Sequence, residues 1–178
     1  MARKRARKLR SKARSGPKPI PSGFRTITPY LSIKGAAGAI EFYKKAFGAK
    51  EIRRDMSPDG KIMNAVLRIG DSPMMLADNF MGPQPADSPV TIHLYTKNVD
   101  KLWNQAVSAG AKVTMPLDNM FWGERYGQFT DPFGHKWSVS MQVKTSPKER
   151  EEKMEAAMKR FSQPQQQGTP SQPPQSSM

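Results

Sequence analysis

The 178-residue sequence has no cysteine and two histidines, His93 and His135. Without thiols it can form no disulfide, no thiolate metal site and no cysteine nucleophile. Any metal site would have to draw on carboxylates. No apolar run approaches the ~18 residues that a membrane-spanning helix requires. The opening MARKRARKLR lacks the apolar segment of a secretory signal, so the expected location is the cytoplasm. Acidic residues are scarce too, 15 against 29 Lys and Arg. The excess is uneven: residues 1–22 carry nine basic and no acidic side chains, while residues 23–143 carry fourteen against eleven. A folded nucleic-acid binder would concentrate basic residues on the domain, which is nearly balanced here.

Residues 1–22, basic and interrupted by Gly16, Pro17, Pro19 and Pro21, read as a disordered arm. Either it is a solvated tail or it makes weak, salt-sensitive contact with nucleic acid or an anionic surface. The domain is expected over 23–143, built from modules 24–78 and 90–143. A helix over 146–161 and a disordered Gln/Pro/Ser tail over 162–178 complete the chain. In the first module ITPYLSI alternates as a strand, with Ile27, Leu31 and Ile33 on one side and Thr28, Tyr30 and Ser32 on the other. Ala36, Ile40, Tyr43 and Phe47 then recur at helical spacing before Gly48, a left-handed stop. Ser57-Pro58-Asp59-Gly60 marks a hairpin, and Gly70-Asp71 turns the chain into Pro73–Ala77. The order is β-α-β-β-β.

Residues 79–89 read as a linker, and the pattern then repeats. VTIHLYT is a strand, and Val99, Leu102, Trp103 and Ala106 form a helical stripe that ends at Gly110. A displacement of 62 residues lays Gly48-Ala49-Lys50 on Gly110-Ala111-Lys112 and Ile33 on Tyr95, and one of 64 lays Gly70 on Gly134. Asp131-Pro132-Phe133-Gly134 then turns into a strand on which Trp137, Val139 and Met141 alternate with Ser138 and Ser140. The serine face reads either as an edge strand in water or as the wall of a concave site. Ser146-Pro147-Lys148-Glu149 is a capping box. Met154, Ala157, Met158 and Phe161 share one face of the helix it starts. That helix is expected to lie on the domain surface or across a cleft.

The paired β-α-β-β-β modules, the AIEFYKKAFGAK helix, Met120–Gly127 (MFWGERYG) and DPFGHKW resemble the vicinal-oxygen-chelate superfamily, and within it the PhnB-like glyoxalase/bleomycin-resistance/dioxygenase group. The resemblance covers roughly residues 24–160 and implies an α+β fold of paired modules around a cleft. It also implies one divalent metal, whose ligand positions fall on Thr28, Met75, Thr91 and Ser138. None of these is the expected His, Glu or Gln, and hydroxyls and a thioether hold such ions poorly. No metal or cofactor is therefore expected.

What would line the cleft is Thr91, His93 and Tyr95 with Thr28, Tyr30, Ser32, Met75, Ser138 and Ser140, and Trp122, Arg125 and Tyr126 at its rim. His93 reads either as a histidine hydrogen-bonded within the sheet or as a ligand contact and general base. Arg125 meets either an anionic ligand or Glu124, Asp118 or Asp131. His135 reads as a turn-fixing residue, Asp78 as a cap and Trp137 as core. The expected function is metal-free recognition of a small molecule, of the bleomycin-resistance kind. One alternative is a glyoxalase- or dioxygenase-type lyase, isomerase or oxidoreductase with a displaced site using His93 with Glu124 or His135. Another is an interaction protein recruited to nucleic acid by its arm. Both modules lie on one chain, so a monomer could complete the fold, whereas the family resemblance implies that a homodimer is common; monomer and homodimer both stay open.

Overall fold

The computed structural model describes residues 19–80, 82 and 89–162, with only the backbone at 157 and 160–162. Most of the basic arm, most of the linker, the C-terminal tail and the Ala157 and Phe161 side chains lie outside the described residues. The chain divides between Pro83 and Gln84 into two compact units.

The N-terminal unit contains β1 (Tyr30–Ile33), α1 (Ala36–Phe47), β2 (Lys50–Met56), β3 (Ile62–Ile69) and β4 (Ser72–Asp78). Its mixed sheet has the order β1-β4-β3-β2, with β1 parallel to β4 and the remaining pairs antiparallel. Alternation predicts a strand from Ile27, but the observed one starts at Tyr30. Ile27 is 85% exposed, and the Thr28 hydroxyl turns back to donate to the Arg25 carbonyl at 3.0 Å. Pro29, which has no N–H to give a ladder, offers its carbonyl to the Met75 N–H.

Helix α1 buries Ala36, Ala39, Ile40, Phe42, Tyr43, Ala46 and Phe47. Its three aromatic rings touch pairwise at centroid distances of 5.6–5.8 Å. Gly48, at φ 64°, reverses the chain, and its N–H caps the Lys44 carbonyl. At the other end the Asp78 carboxylate accepts from the N–H groups of Gly35, Ala36 and Ile62 at 2.7–3.1 Å. One aspartate thereby ties the end of β4 to the starts of α1 and β3.

The C-terminal unit repeats the arrangement with β5 (Thr91–Tyr95), α2 (Val99–Ser108), β6 (Lys112–Asn119), β7 (Glu124–Thr130) and β8 (Lys136–Gln142), in sheet order β5-β8-β7-β6. Strand β5 runs parallel to β8. The register refines the internal repeat. The partners Tyr30–Met75 in the first sheet and His93–Ser138 in the second are each displaced by 63 residues. Ile33 and Tyr95 are therefore not equivalent. Ile33 is 1% exposed and Tyr95 67%, because a one-residue slip along a strand moves a side chain to the other face.

Helix α2 packs by Trp103 against Phe129, ring centroids 5.7 Å apart. Gly127 makes the approach possible, since a Cβ there would stand 2.5 Å from the Trp103 ring and 3.0 Å from the Leu117 Cα. Trp137, fully buried, donates its indole N–H to Asp131 at 2.9 Å. The same carboxylate accepts the backbone N–H groups of Phe133 and His135. The DPFGHKW turn is thus built around a buried aspartate, and the backbone of His135 closes it on Asp131.

Helix α3 (Pro147–Ser162) begins with the reciprocal capping box: Ser146 N–H to Glu149 at 2.9 Å and Glu149 N–H to the Ser146 hydroxyl at 3.2 Å. Arg150 in its first turns lies close to Gly123, while Met154 and Met158 are 44% and 63% exposed. No helix among the described residues is long and apolar enough to cross a membrane.

Candidate functional site

The face of the second sheet turned away from α2 is set by strand alternation. On β5 the residues Thr91, His93 and Tyr95 are exposed while Ile92 and Leu94 are half-buried. Ser138 and Ser140 are their ladder partners from β8, at His93 and Tyr95 respectively. From β7 come Gln128, opposite Ser138, and Tyr126, opposite Ser140. Two rows result: His93–Ser138–Gln128 and Tyr95–Ser140–Tyr126. Strand β8 is internal, not an edge, and its serines are 2% and 0% exposed. The edge-strand reading is therefore excluded.

The small serines leave room above β8 for their larger neighbours. His93 reaches across: its Nδ1 is 2.7 Å from the Ser138 hydroxyl and its Nε2 3.1 Å from that of Ser140. A neutral imidazole donates from one nitrogen and accepts at the other, and a serine hydroxyl can take either role. Both ring nitrogens are consequently satisfied inside the sheet. The ring lies 5.9 Å from Tyr126, with planes within 19° of parallel. Tyr95 stands edge-on to His93 at 4.5 Å, and Trp122 edge-on to Tyr126 at 5.5 Å. The Gln128 amide fixes the Tyr126 hydroxyl at 2.6 Å.

Glu124 joins the two outer rings. One of its oxygens accepts from the Tyr95 hydroxyl at 2.8 Å and the other from the Trp122 indole N–H at 3.2 Å. The bond to the Glu124 carboxylate raises the pKa of the Tyr95 phenol, because the neutral phenol is the form that donates.

Of the residues expected in the site, His93, Tyr95, Trp122, Tyr126, Ser138 and Ser140 come together, and Thr91 shares their face. Arg125 does not. It projects from the opposite side of β7 and holds Asp100 of α2 through contacts of 2.6–3.1 Å. Those contacts lower the Asp100 pKa and raise that of Arg125. The partner is none of the three acids considered from sequence. Adjacent strand residues point to opposite faces, so Arg125 and Tyr126 cannot share a rim. Tyr30 and Met75 are partners on the N-terminal sheet, as are Ser32 and Ala77. Thr28 lies before β1, its hydroxyl engaged by Arg25. Glu124 and Gln128 were not among the expected ligand contacts, although each lies two residues from Tyr126, which is the signal for a shared face. An open depression of about 530 Å³ on the N-terminal unit, lined by Gly48, Lys50, Arg68, Gly70 and Asp71, contains none of these residues.

The Glyoxalase/Bleomycin resistance protein/Dioxygenase superfamily model matches residues 28–139. The chain belongs to that superfamily. Among its relatives is an uncharacterised protein of Mycobacterium bovis, 42% identical over 127 residues that span 66% of this chain and 84% of the relative. A PhnB protein from Bacillus cereus has the same fold at 17% identity, with a TM-score of 0.58 over 66% of this chain and 99% of its own. FosX, a fosfomycin resistance protein from Listeria monocytogenes solved with Mn(II) and sulfate, does so at 14% identity and a TM-score of 0.51, over 71% and 96% of the two chains.

The divalent metal that the superfamily resemblance implies does not fit the residues present here. Among the described residues no three His, Cys, Asp or Glu side chains gather as a metal site would require. Thr28, Met75, Thr91 and Ser138 offer hydroxyls and a thioether, and the Ser138 hydroxyl is engaged by His93. Hard and borderline divalent ions prefer imidazole and carboxylate.

Proposed function

We propose that the protein recognises a small planar molecule on the face formed by β5, β8 and β7, by stacking and hydrogen bonding and without a metal. The observation that carries this reading is the double tether of His93. With both nitrogens on serine hydroxyls, the ring is pinned for contact through its π face, beside Tyr126 and Tyr95, and Trp122 in turn packs against Tyr126. Fixed aromatic rings bind planar ligands at small cost in conformational entropy. The polar groups left at the margin, Glu124, Gln128 and Thr91, orient what stacks there.

Catalysis by His93 as a general base is less well supported. Proton abstraction would require the ring to give up one of its serine bonds at the moment of reaction. A displaced metal site using His93 with Glu124 or His135 meets a further obstacle. The Glu124 oxygens already serve Tyr95 and Trp122, and His135 belongs to the Asp131 turn. Binding and sequestration, as in the bleomycin-resistance branch of the superfamily, is the activity that this donor set serves.

The test is a fluorescence titration with quinoline at neutral pH, with and without a chelator. The native chain is expected to bind in both conditions. His93→Ala and Tyr126→Ala should each weaken binding about tenfold, equivalent to ~1.4 kcal/mol, as loss of one stacking ring does. Binding abolished by the chelator, or untouched by both substitutions, would contradict the reading.

A further inference from the structure

Glu124 carries a negative charge into the margin of this aromatic face. Its two hydrogen-bond donors, Tyr95 and Trp122, are neutral, and among the described residues no Lys, Arg or His forms an ion pair with it. The adjacent Arg125 is directed to the other face and spent on Asp100. The other charged residue on this face of β7 and β8 is Lys136. It pairs with Thr130 at the far end of the ladder, whereas Glu124 pairs with Gln142. Six residues of strand separate the two ends, about 20 Å and beyond the ~10 Å screening length at 0.1 M salt. On this face of β7 and β8, no opposite charge lies within that distance of the carboxylate.

On that basis, and resting on the stacking reading above, we infer that Glu124 makes the site selective for a planar cation over a neutral molecule of the same shape. The ligand class is a flat heteroaromatic with a fixed positive charge or an aryl ammonium. Its plane lies on His93 and Tyr126, and its charge is directed to the Glu124 carboxylate between Tyr95 and Trp122. A chain with a formal net charge of +14 would repel such a ligand at long range. The selectivity therefore arises from contact with one carboxylate and neighbouring π faces, not from the overall field.

The experiment compares N-methylquinolinium with quinoline, which is uncharged at neutral pH, on the full chain and on Glu124→Gln. The native chain is expected to bind N-methylquinolinium about tenfold more tightly than quinoline. In Glu124→Gln the ratio of the two affinities should fall from about ten to about one. A thermal unfolding midpoint close to native would show that the variant is folded. On the native chain alone, raising ionic strength from ~0.05 to ~0.5 M should shrink the preference, because screening weakens the charge contact and leaves stacking unaffected. Equal native affinities, a preference that survives Glu124→Gln, or one indifferent to salt would each overturn the inference and leave the stacking reading standing. No binding of either probe to the native chain would remove both.

Discussion

The two modules share one topology and differ in where their packing is concentrated. In the N-terminal module the helix does the burying, with seven core residues on α1 and three interlocked aromatic rings. In the C-terminal module α2 buries Val99 and Ala106 and leans on one Trp103–Gly127 contact. Trp103, Phe129 and Trp137 lie on the helix side of its sheet, while His93, Tyr95, Trp122 and Tyr126 lie on the opposite face, around two buried serines. Equivalent rows make the contrast concrete: Tyr30–Met75–Val66 in one sheet and His93–Ser138–Gln128 in the other. An apolar centre in the first row has become a hydroxyl in the second, and that hydroxyl gives a histidine something to hold. One module thus carries an apolar centre in this row and the other a polar one.

The comparison can be broken most severely at Trp137, whose ring is fully buried and whose N–H completes the Asp131 turn. Trp137→Ala should destabilise the C-terminal module by about 3–5 kcal/mol, the usual cost of removing a large core aromatic. Chemical denaturation followed by amide exchange would show the loss localised to residues 90–143. An equal loss of protection in both modules would mean that they do not behave as separate packing units.

A smaller effect is expected at Gly127, where an added methyl meets the Trp103 ring and the Leu117 backbone. Gly127→Ala should cost about 1–3 kcal/mol by overpacking, measured as a shift in the denaturation midpoint at unchanged slope. A neutral result would show that α2 is free to shift, and that the Trp103 contact is not what positions it.

The smallest effect concerns pH. Glu124 raises the pKa of Tyr95, so the bond between them supports the folded state while the phenol is neutral. That contribution is complete below the ordinary tyrosine range and disappears as pH rises through the elevated folded value. Glu124→Gln should lower the ionisation midpoint of Tyr95, read by tyrosinate absorbance. An unchanged Tyr95 titration would show that the Tyr95–Glu124 bond does not form in solution.

Much of this arrangement could be read from sequence alone. Alternation fixed the faces of β5 and β8, helical spacing and Gly48 delimited α1, and the repeated β-α-β-β-β pattern specified the α+β fold of paired modules. What could not be read was adjacency. His93 and Ser138 are 45 residues apart, and that they meet depends on β5 pairing in parallel with β8. The displacements taken from matching glycines reported loop lengths rather than strand register, which is why they set Ile33 on Tyr95. Arg125 and Glu124 were misplaced for a related reason. Residues 120–127 look like a loop rich in aromatics, and only once Glu124 is known to begin a strand does parity separate the two charges. In the same way Asp100 lies 25 residues from Arg125 and offers no local signal of their pairing.

The measurement that bears most directly on the central claim is NMR chemical-shift mapping of the full chain titrated with quinoline. The account expects ring-current shifts at His93, Tyr95, Trp122 and Tyr126 and at the amides of Ser138 and Ser140, with the Tyr30–Met75 row of the first module unmoved. Shifts centred on Tyr30 and Met75, or the absence of any saturable shift on β5, β7 and β8, would contradict it.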